Sequence, residues 1–406
     1  MPHPAQDLQQ WIPRLIAAWR RMAQIPGDGL PQDRLAPQEA SRVARALAGL
    51  SAGLKGERGL AGAAYMDHPD LLGAYLLWFW PVSYLQARAS LLEAAIPGQG
   101  SALDLGSGPG PVALALADHG FQRVMAAERS PQALTLLRRL SKAGGGKVQA
   151  VDWQAPEEPG APDGLPEGGP WDMISLGHVT NELYLNLPDP LAQRAALLLG
   201  CSRSLRRDGS LLLIEPALLV TSREALALRD RLLQAGASLR WPCLWQSACP
   251  ALAQANQTCH SEFAWKAPAI TEQLGLRAGL KKESLKCLAL AFGRPLEAPE
   301  GAWRVVGEHL LSKNGTRRLM VCGRGGRMNL SLPKAVRTDQ APAFLGLRRG
   351  DLALVENAEP KPNGMALREG SRCERLKACQ PLTAAKPQRV GRTLQRSSWM
   401  SSNSRT

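Results

Sequence analysis

Apolar residues recur with two different periods along this chain, and the change comes near residue 100. Before it the spacing is helical. Trp11, Ile12, Leu15, Ile16 and Trp19 share one face, and so do Val43, Leu47 and Leu50 behind a cap at Ser41. Leu71, Leu72, Tyr75, Leu76 and Phe79 make a third face, which Pro81 is expected to interrupt. After residue 100, short apolar runs alternate with amphipathic segments. Runs at 101–105, 123–130, 147–153, 171–179 and 210–217 read as strands, and the stretches between them read as helices or loops. Repeated β–α units predict a doubly wound, mainly parallel α/β sheet with helices on both faces. The segment ESLKCLALAF reads as one more buried strand. From 302 to 356 the period falls to two. WRVVGEHLL, RRLMVCG, RMNLSL and DLALVEN, with turns at Asn314-Gly315 and Gly325-Gly326, predict a small β module. Beyond about 358 the periodicity fails, and a disordered basic tail is expected.

The expected organisation is therefore a helical region (1–98), an α/β core (99–239), a cysteine-rich segment with the last core strand (240–299), a β module (300–357) and a tail (358–406). The 406 residues are enough for such an arrangement. Charge sharpens it. The chain carries +14, yet residues 300–406 hold 20 Lys and Arg against 8 Asp and Glu, which leaves +2 for the rest. An enzyme-like body with a polyanion-binding extension is implied, and nucleic acid is the obvious polyanion. Arg317, Arg318, Arg324, Arg327, Arg348 and Arg349 are the expected phosphate contacts. No apolar run is long enough to span a membrane. The N-terminal stretch lacks the order of a signal peptide, so a cytoplasmic location is expected, with the mitochondrial matrix as the alternative. A monomer is expected.

The chemistry starts at SALDLGSGPGPVALALADHG, residues 101–120. A strand ends in a glycine loop, and Pro111 opens a helix, because a first-turn proline gives up an amide that lacks a partner anyway. Free amides at a helix N-terminus receive anionic groups, and glycines let the backbone come close. The spacing is not the dinucleotide G-x-G-x-x-G. Asp104, Gly106, Gly108 and Gly110 form D-x-G-x-G-x-G, which resembles the first motif of class I S-adenosylmethionine (SAM) methyltransferases. Glu128 ends the second strand, where an acid can accept from ribose hydroxyls. Asp152 ends the third, where the resemblance implies an acid facing the adenine amino group. Ligands sit at the carboxyl ends of such strands, so His178, Asn181 and Glu182 after strand four, with Glu215 on strand five, are placed at the same mouth. These three residues after strand four are the candidate catalytic groups: His178 as a base, Asn181 and Glu182 to orient an amine. Closing the cofactor pocket is their alternative role. The N/D-P-P-Y/F motif of many amino methyltransferases is absent.

The chain has eight cysteines. Cys243, Cys249 and Cys259 are too widely spaced for a zinc ribbon. Iron–sulfur clusters need four thiolates at more varied spacing, and core packing is the other reading. Cys287 and Cys322 are both candidates for a fourth ligand, while Cys373 and Cys379 lie in the expected tail.

Taken together, DLGSGPG, GHVTNELY, LLIEPA, the C-P…C-H segment and RLMVCGRGGR resemble the small-ribosomal-subunit-associated methyltransferase-like family over roughly residues 60–356. That family comprises mitochondrial ribosome assembly factors and their bacterial relatives. The resemblance implies a SAM-binding fold, a 4Fe-4S cluster on Cys243, Cys249, Cys259 and Cys322, and action on the small ribosomal subunit and its rRNA during assembly. Here the gap between Cys249 and Cys259 is longer than the family pattern, and the aromatic residues expected around the third cysteine are missing. Two alternatives accompany this expectation: a SAM-binding assembly factor without catalysis, and a methyltransferase for a small molecule.

Overall fold

The computed structural model describes residues 4–26, 29–55, 65–157, 164–336, 339 and 341–378. Helices α1 (Pro4–Met22), α2 (Pro37–Lys55), α3 (Pro69–Ala74) and α4 (Trp80–Glu93) form the first layer. Between α3 and α4 the chain widens into a single π-helical stretch, Tyr75–Phe79. Pro81 does not break the layer. It occupies the first turn of α4, where its missing N–H costs nothing.

The core follows as β1 (Ser101–Leu105), α5 (Pro111–His119), β2 (Arg123–Glu128), α6 (Pro131–Ala143), β3 (Val148–Asp152), β4 (Trp171–Gly177), α7 (Pro190–Arg203), β5 (Leu205–Pro216), α8 (Leu219–Gln234) and β6 (Leu239–Trp241). It is completed by β7 (Ser261–Ala264), α9 (Ala269–Arg277) and β8 (Ser284–Phe292). Ser130 and Asp189 cap α6 and α7 through their side-chain oxygens, each just ahead of a first-turn proline. Ser204 is the C-cap of α7, and Gly209 lies inside β5.

The sheet order is β3-β2-β1-β4-β5-β8-β6, with β7 paired to β8. Strands β1 to β5 are parallel, and β8 runs antiparallel to β5, β6 and β7. This is the doubly wound sheet of the class I SAM-methyltransferase fold, with its order reversing beside β1. The pleat sends alternate residues to two cores. Ala102, Leu212, Ile214, Cys287 and Ala289 face the N-terminal helices. Leu103, Leu105, Leu211, Leu213, Leu288 and Leu290 face α7, α8 and the segment that carries Cys243, Cys249 and Cys259.

A second sheet forms from β9 (Ala302–Val305), β10 (Leu310–Leu311), β11 (Arg317–Gly323), β12 (Gly326–Leu332), β13 (Leu352–Glu356), β14 (Glu359–Lys361), β15 (Gly364–Ala366) and β16 (Arg372–Lys377), with α10 (Ala341–Gly346) packed against it. The expected boundary at 357 falls inside this module. β16 pairs with β13, and Cys373 is buried in the module's own core. Strands of three to six residues with polar outer faces leave too little periodicity to read from sequence. Cys379 and residues 381–406 lie outside the described residues, and with them most of the expected tail. Among the described residues no helix is long and apolar enough to cross a membrane.

Candidate active site and cysteine cavity

A cavity of about 1340 Å³ opens at the carboxyl ends of the parallel strands. The glycine loop forms one wall. Gly106, Gly108 and Gly110 have φ of +65°, +53° and +82°, a region that side chains rarely adopt. A Cβ on Gly106 would lie 2.6 Å from Val179, and one on Gly110 would lie 2.2 Å from Leu137. Gly106 and Gly108 line the cavity. Gly110 instead turns the chain into α5 as its N-cap.

Glu128 stands at the end of β2 on the cavity wall. One carboxylate oxygen accepts the Gly108 N–H at 2.8 Å, and the other accepts the Arg129 and Ser130 amides. Asp104 does not reach the cavity. It is buried beneath the loop, where it accepts the Ser175 hydroxyl at 2.6 Å and a backbone N–H from Ala113. Burial pushes its carboxyl up to about 7, and Oδ2 has no hydrogen-bond partner. Its place is that of a brace between β1, β4 and α5. Asp152 is exposed, because β3 is the edge strand, while the next residues, Trp153 and Gln154, line the cavity.

The turn after β4 closes the other side. His178, Asn181 and Glu182 all line the cavity. Asn181 is committed to a neighbour: its Nδ2 donates to Glu215 Oε2 at 2.6 Å. Glu215 is fully buried on β5 and also accepts the Thr180 amide at 3.0 Å and the Thr180 hydroxyl at 2.5 Å. Burial raises its carboxyl to about 7 against these donors. His178 holds φ +62° and donates its backbone N–H to Ile214. The helical layer supplies the roof. Tyr65, Tyr75 and Phe79 line the cavity in successive ring contacts of 6.0 and 6.1 Å. They come from the π-helical stretch and the turn before α3, and π-bulges are frequent at functional sites. Gln86, Lys282 and Lys286 complete the wall. No cysteine lines this cavity among the described residues.

A second cavity, about 60 Å³, lies between the core and the β module. Cys243, Cys249, Cys259 and Cys322 all line it, the last from β11. One water needs about 10–15 Å³, so the space suits a larger occupant. Burial first, and then the nearby Cys243, Cys259 and Cys249, push the Cys322 thiol up to about 12. The other three thiols are raised too, chiefly by burial. Arg229 and Arg327 also line this cavity, and the Nε of each is buried without a partner. These donors and four thiols match the needs of an anionic, sulfur-rich group. No three His, Cys, Asp or Glu among the described residues converge on a single metal ion. Cys287 faces the opposite core and Cys373 the module core, so neither borders this space.

Two of the six expected phosphate contacts are used internally. Arg327 donates to the Thr258 carbonyl at 2.9 Å. Arg349 pairs with Glu308 and Glu262 and donates to the Val306 carbonyl. Arg317, Arg318, Arg324 and Arg348 are exposed.

The family model described as "Mitochondrial small ribosomal subunit Rsm22" matches residues 74–329. The chain belongs to that family. The match runs from the end of α3, through the glycine loop, the turn after β4 and all four cavity cysteines, to β12. No curated protein matches the chain by sequence. Among solved structures, it is similar to precorrin-6y C5,15-methyltransferase from Geobacter metallireducens at 16% identity, with 51% of this chain and 87% of that chain covered and a TM-score of 0.33. A methyltransferase from Pyrococcus furiosus gives 16%, 52%, 83% and 0.34. A TehB-like SAM-dependent methyltransferase from Corynebacterium glutamicum gives 16%, 51%, 86% and 0.31.

Proposed function

We propose that this chain is a SAM-dependent methyltransferase that acts on the RNA of the small ribosomal subunit during its assembly. One observation carries the reading: a single cavity holds both the glycine loop and the turn after β4. Its volume exceeds the roughly 300–1,000 Å³ of a pocket for one small ligand, which leaves room for an acceptor beside a cofactor. The loop amides are engaged internally, Gly106 N–H on the Ala127 carbonyl and Gly108 N–H on Glu128. The close, Cβ-free backbone at Gly106 and Gly108 and the Glu128 carboxylate would hold SAM, with Trp153 and Gln154 flanking them. Bound there, SAM supplies an electrophilic methyl group on a sulfonium. His178 and Glu182 face the acceptor side. Asp104, Gly110 and Asn181 support this constellation by bracing the loop and the turn, and Asp152 stands at its outer margin.

The family description points to the small ribosomal subunit and supports a mitochondrial location over a cytoplasmic one. The exposed Arg317, Arg318, Arg324 and Arg348 are the phosphate-binding groups, with arginine's fork matching phosphate oxygens. Few aromatics accompany them, so folded RNA is read through its backbone. The protein acts as a monomer. Cys243, Cys249, Cys259 and Cys322 would carry a 4Fe-4S cluster that ties the cysteine segment to the β module and makes local folding depend on metal.

Binding of SAM by calorimetry, followed by transfer of a labelled methyl group to immature small subunits, tests this reading. Binding with transfer is expected. The commitment of Asn181 to Glu215 favours one alternative, a SAM-binding assembly factor without catalysis; SAM binding with no label in the RNA would establish that alternative. Absence of SAM binding would overturn both.

A further inference from the structure

Gln86 sits on α4 with 2% of its surface exposed, and both ends of its amide are engaged. Its Nε2 donates to the Lys286 carbonyl on β8 at 3.0 Å. Its Oε1 therefore faces the other way, 3.0 Å from His178 Nε2. A carbonyl oxygen only accepts, so His178 Nε2 carries the hydrogen. In a neutral imidazole this leaves the lone pair on Nδ1. Nδ1 has no hydrogen bond to any described residue, and His178 lines the same cavity as the glycine loop. The backbone that presents the ring is itself held in the left-handed region, a cost that clusters at functional sites.

We propose that Gln86 is a positioning residue that holds His178 in the Nε2–H tautomer, so that Nδ1 receives the proton of an acceptor N–H in the cavity. This rests on the methyltransferase reading above and narrows its substrate to a nitrogen nucleophile, such as the exocyclic amine of a base. Burial, and then the Lys282 cation, lower the ring to about 4, so it is neutral at physiological pH. Asp67, Glu128, Arg129, Glu157, Glu182 and Lys286 are the other charged groups on the cavity wall.

A base this weak does not deprotonate a hydroxyl before attack. It does remove the proton from a nitrogen that has just become cationic. The nitrogen lone pair forms the N–C bond to the methyl carbon, and the C–S bond breaks with its pair staying on sulfur. The N–H proton then passes to Nδ1 and on to water. Among the described residues no thiol lines this cavity wall for methylation of a ring carbon through a cysteine adduct.

The test uses the full chain with ¹⁵N-labelled histidine, and H178Q identifies the His178 signals. The expected wild-type spectrum is an Nε2–H tautomer that titrates below the ordinary histidine value. Q86L should give a mixture of tautomers. Q86E keeps the shape but places a carboxylate on Nε2, and should raise the titration by about 1–3 pH units. SAM affinity should stay within about twofold in both variants, while methyl transfer by Q86L falls about tenfold or more at saturating SAM. An Nδ1–H tautomer in the wild type, or wild-type spectra in both variants, would overturn the proposal. These spectra need no cofactor, so they decide the tautomer whether or not SAM binds. Failure to bind SAM would overturn the methyltransferase reading separately.

Discussion

Asn181 Nδ2 donates to Glu215 Oε2 at 2.6 Å, and both residues are buried. The carboxylate on β5 thereby holds the turn after β4, which forms the acceptor side of the large cavity. Replacing Glu215 with alanine would leave the Asn181 amide and the Thr180 hydroxyl without their acceptor. A loss of about 1–3 kcal/mol per unsatisfied group is expected, with a weakened cavity wall. Urea denaturation and SAM calorimetry on E215A check this; unchanged stability would show that the pair does not brace the turn.

Glu215 and Asp104 also set a pH dependence. Burial raises both carboxyls to about 7, from ordinary values of 4.5 and 3.8. An acid raised on folding stabilises the fold fully below its unfolded value, and that contribution is lost as pH rises through the folded value. Wild-type stability relative to E215Q and D104N should therefore decline between roughly pH 4 and pH 7, by on the order of a few kcal/mol. Parallel wild-type and variant profiles across that window would contradict the assignment.

The glycine loop offers a graded comparison. Alanine at Gly106 meets both a positive φ and Val179 at 2.6 Å, whereas Gly145 has φ +97° with nothing within 4 Å of the added Cβ. G106A should weaken SAM binding by about tenfold or more and destabilise the core by about 1–3 kcal/mol. G145A should leave SAM affinity unchanged. Equal affinities for G106A and wild type would remove the loop from the cofactor site.

The cysteines divide by cavity. After anaerobic purification, C322S should lose iron and sulfide and unfold at a lower temperature, because a metal-linked site contributes folding free energy. C287S should keep the wild-type iron content, since Cys287 packs on the opposite face of β8. A wild-type protein free of iron after reconstitution would rule out the cluster.

The exposed and internal arginines predict different phenotypes. R317E/R318E should weaken binding to small-subunit RNA and flatten the salt dependence of the affinity, because phosphate contacts release counterions. R327A removes the donor to Thr258 and should act mainly on stability near the cysteine cavity. Equal RNA affinity for wild type and R317E/R318E at every salt concentration would remove this hairpin from the interface.

Much of this architecture was readable along the chain. The strand–loop–helix at 101–120, the five parallel strands and the buried strand containing Cys287 follow from local rules: apolar period, first-turn prolines and glycines ahead of helices. Those rules depend on neighbours a few residues apart, which a sequence displays directly. They also placed His178, Asn181 and Glu182 on the same cavity as the glycine loop, because the carboxyl ends of parallel strands share one side of a sheet. What they did not reveal was which of these side chains stays available. Asn181 is taken by Glu215, 34 positions later, and His178 is oriented by Gln86, 92 positions earlier.

The sequence by itself determined the periods, the glycine loop with Pro111 at the start of its helix, and the basic C-terminal quarter; the cap it suggested at Ser41 lies inside α2, where the hydroxyl donates to the Pro37 carbonyl. Tertiary structure alone decided that Asp104 lies under the loop, that Asp152 sits on an edge strand, and that Tyr75 and Gln86 roof the cavity. The reason is physical. A strand's pleat fixes that successive side chains point to opposite faces, but which face meets which partner depends on packing between segments far apart in the chain.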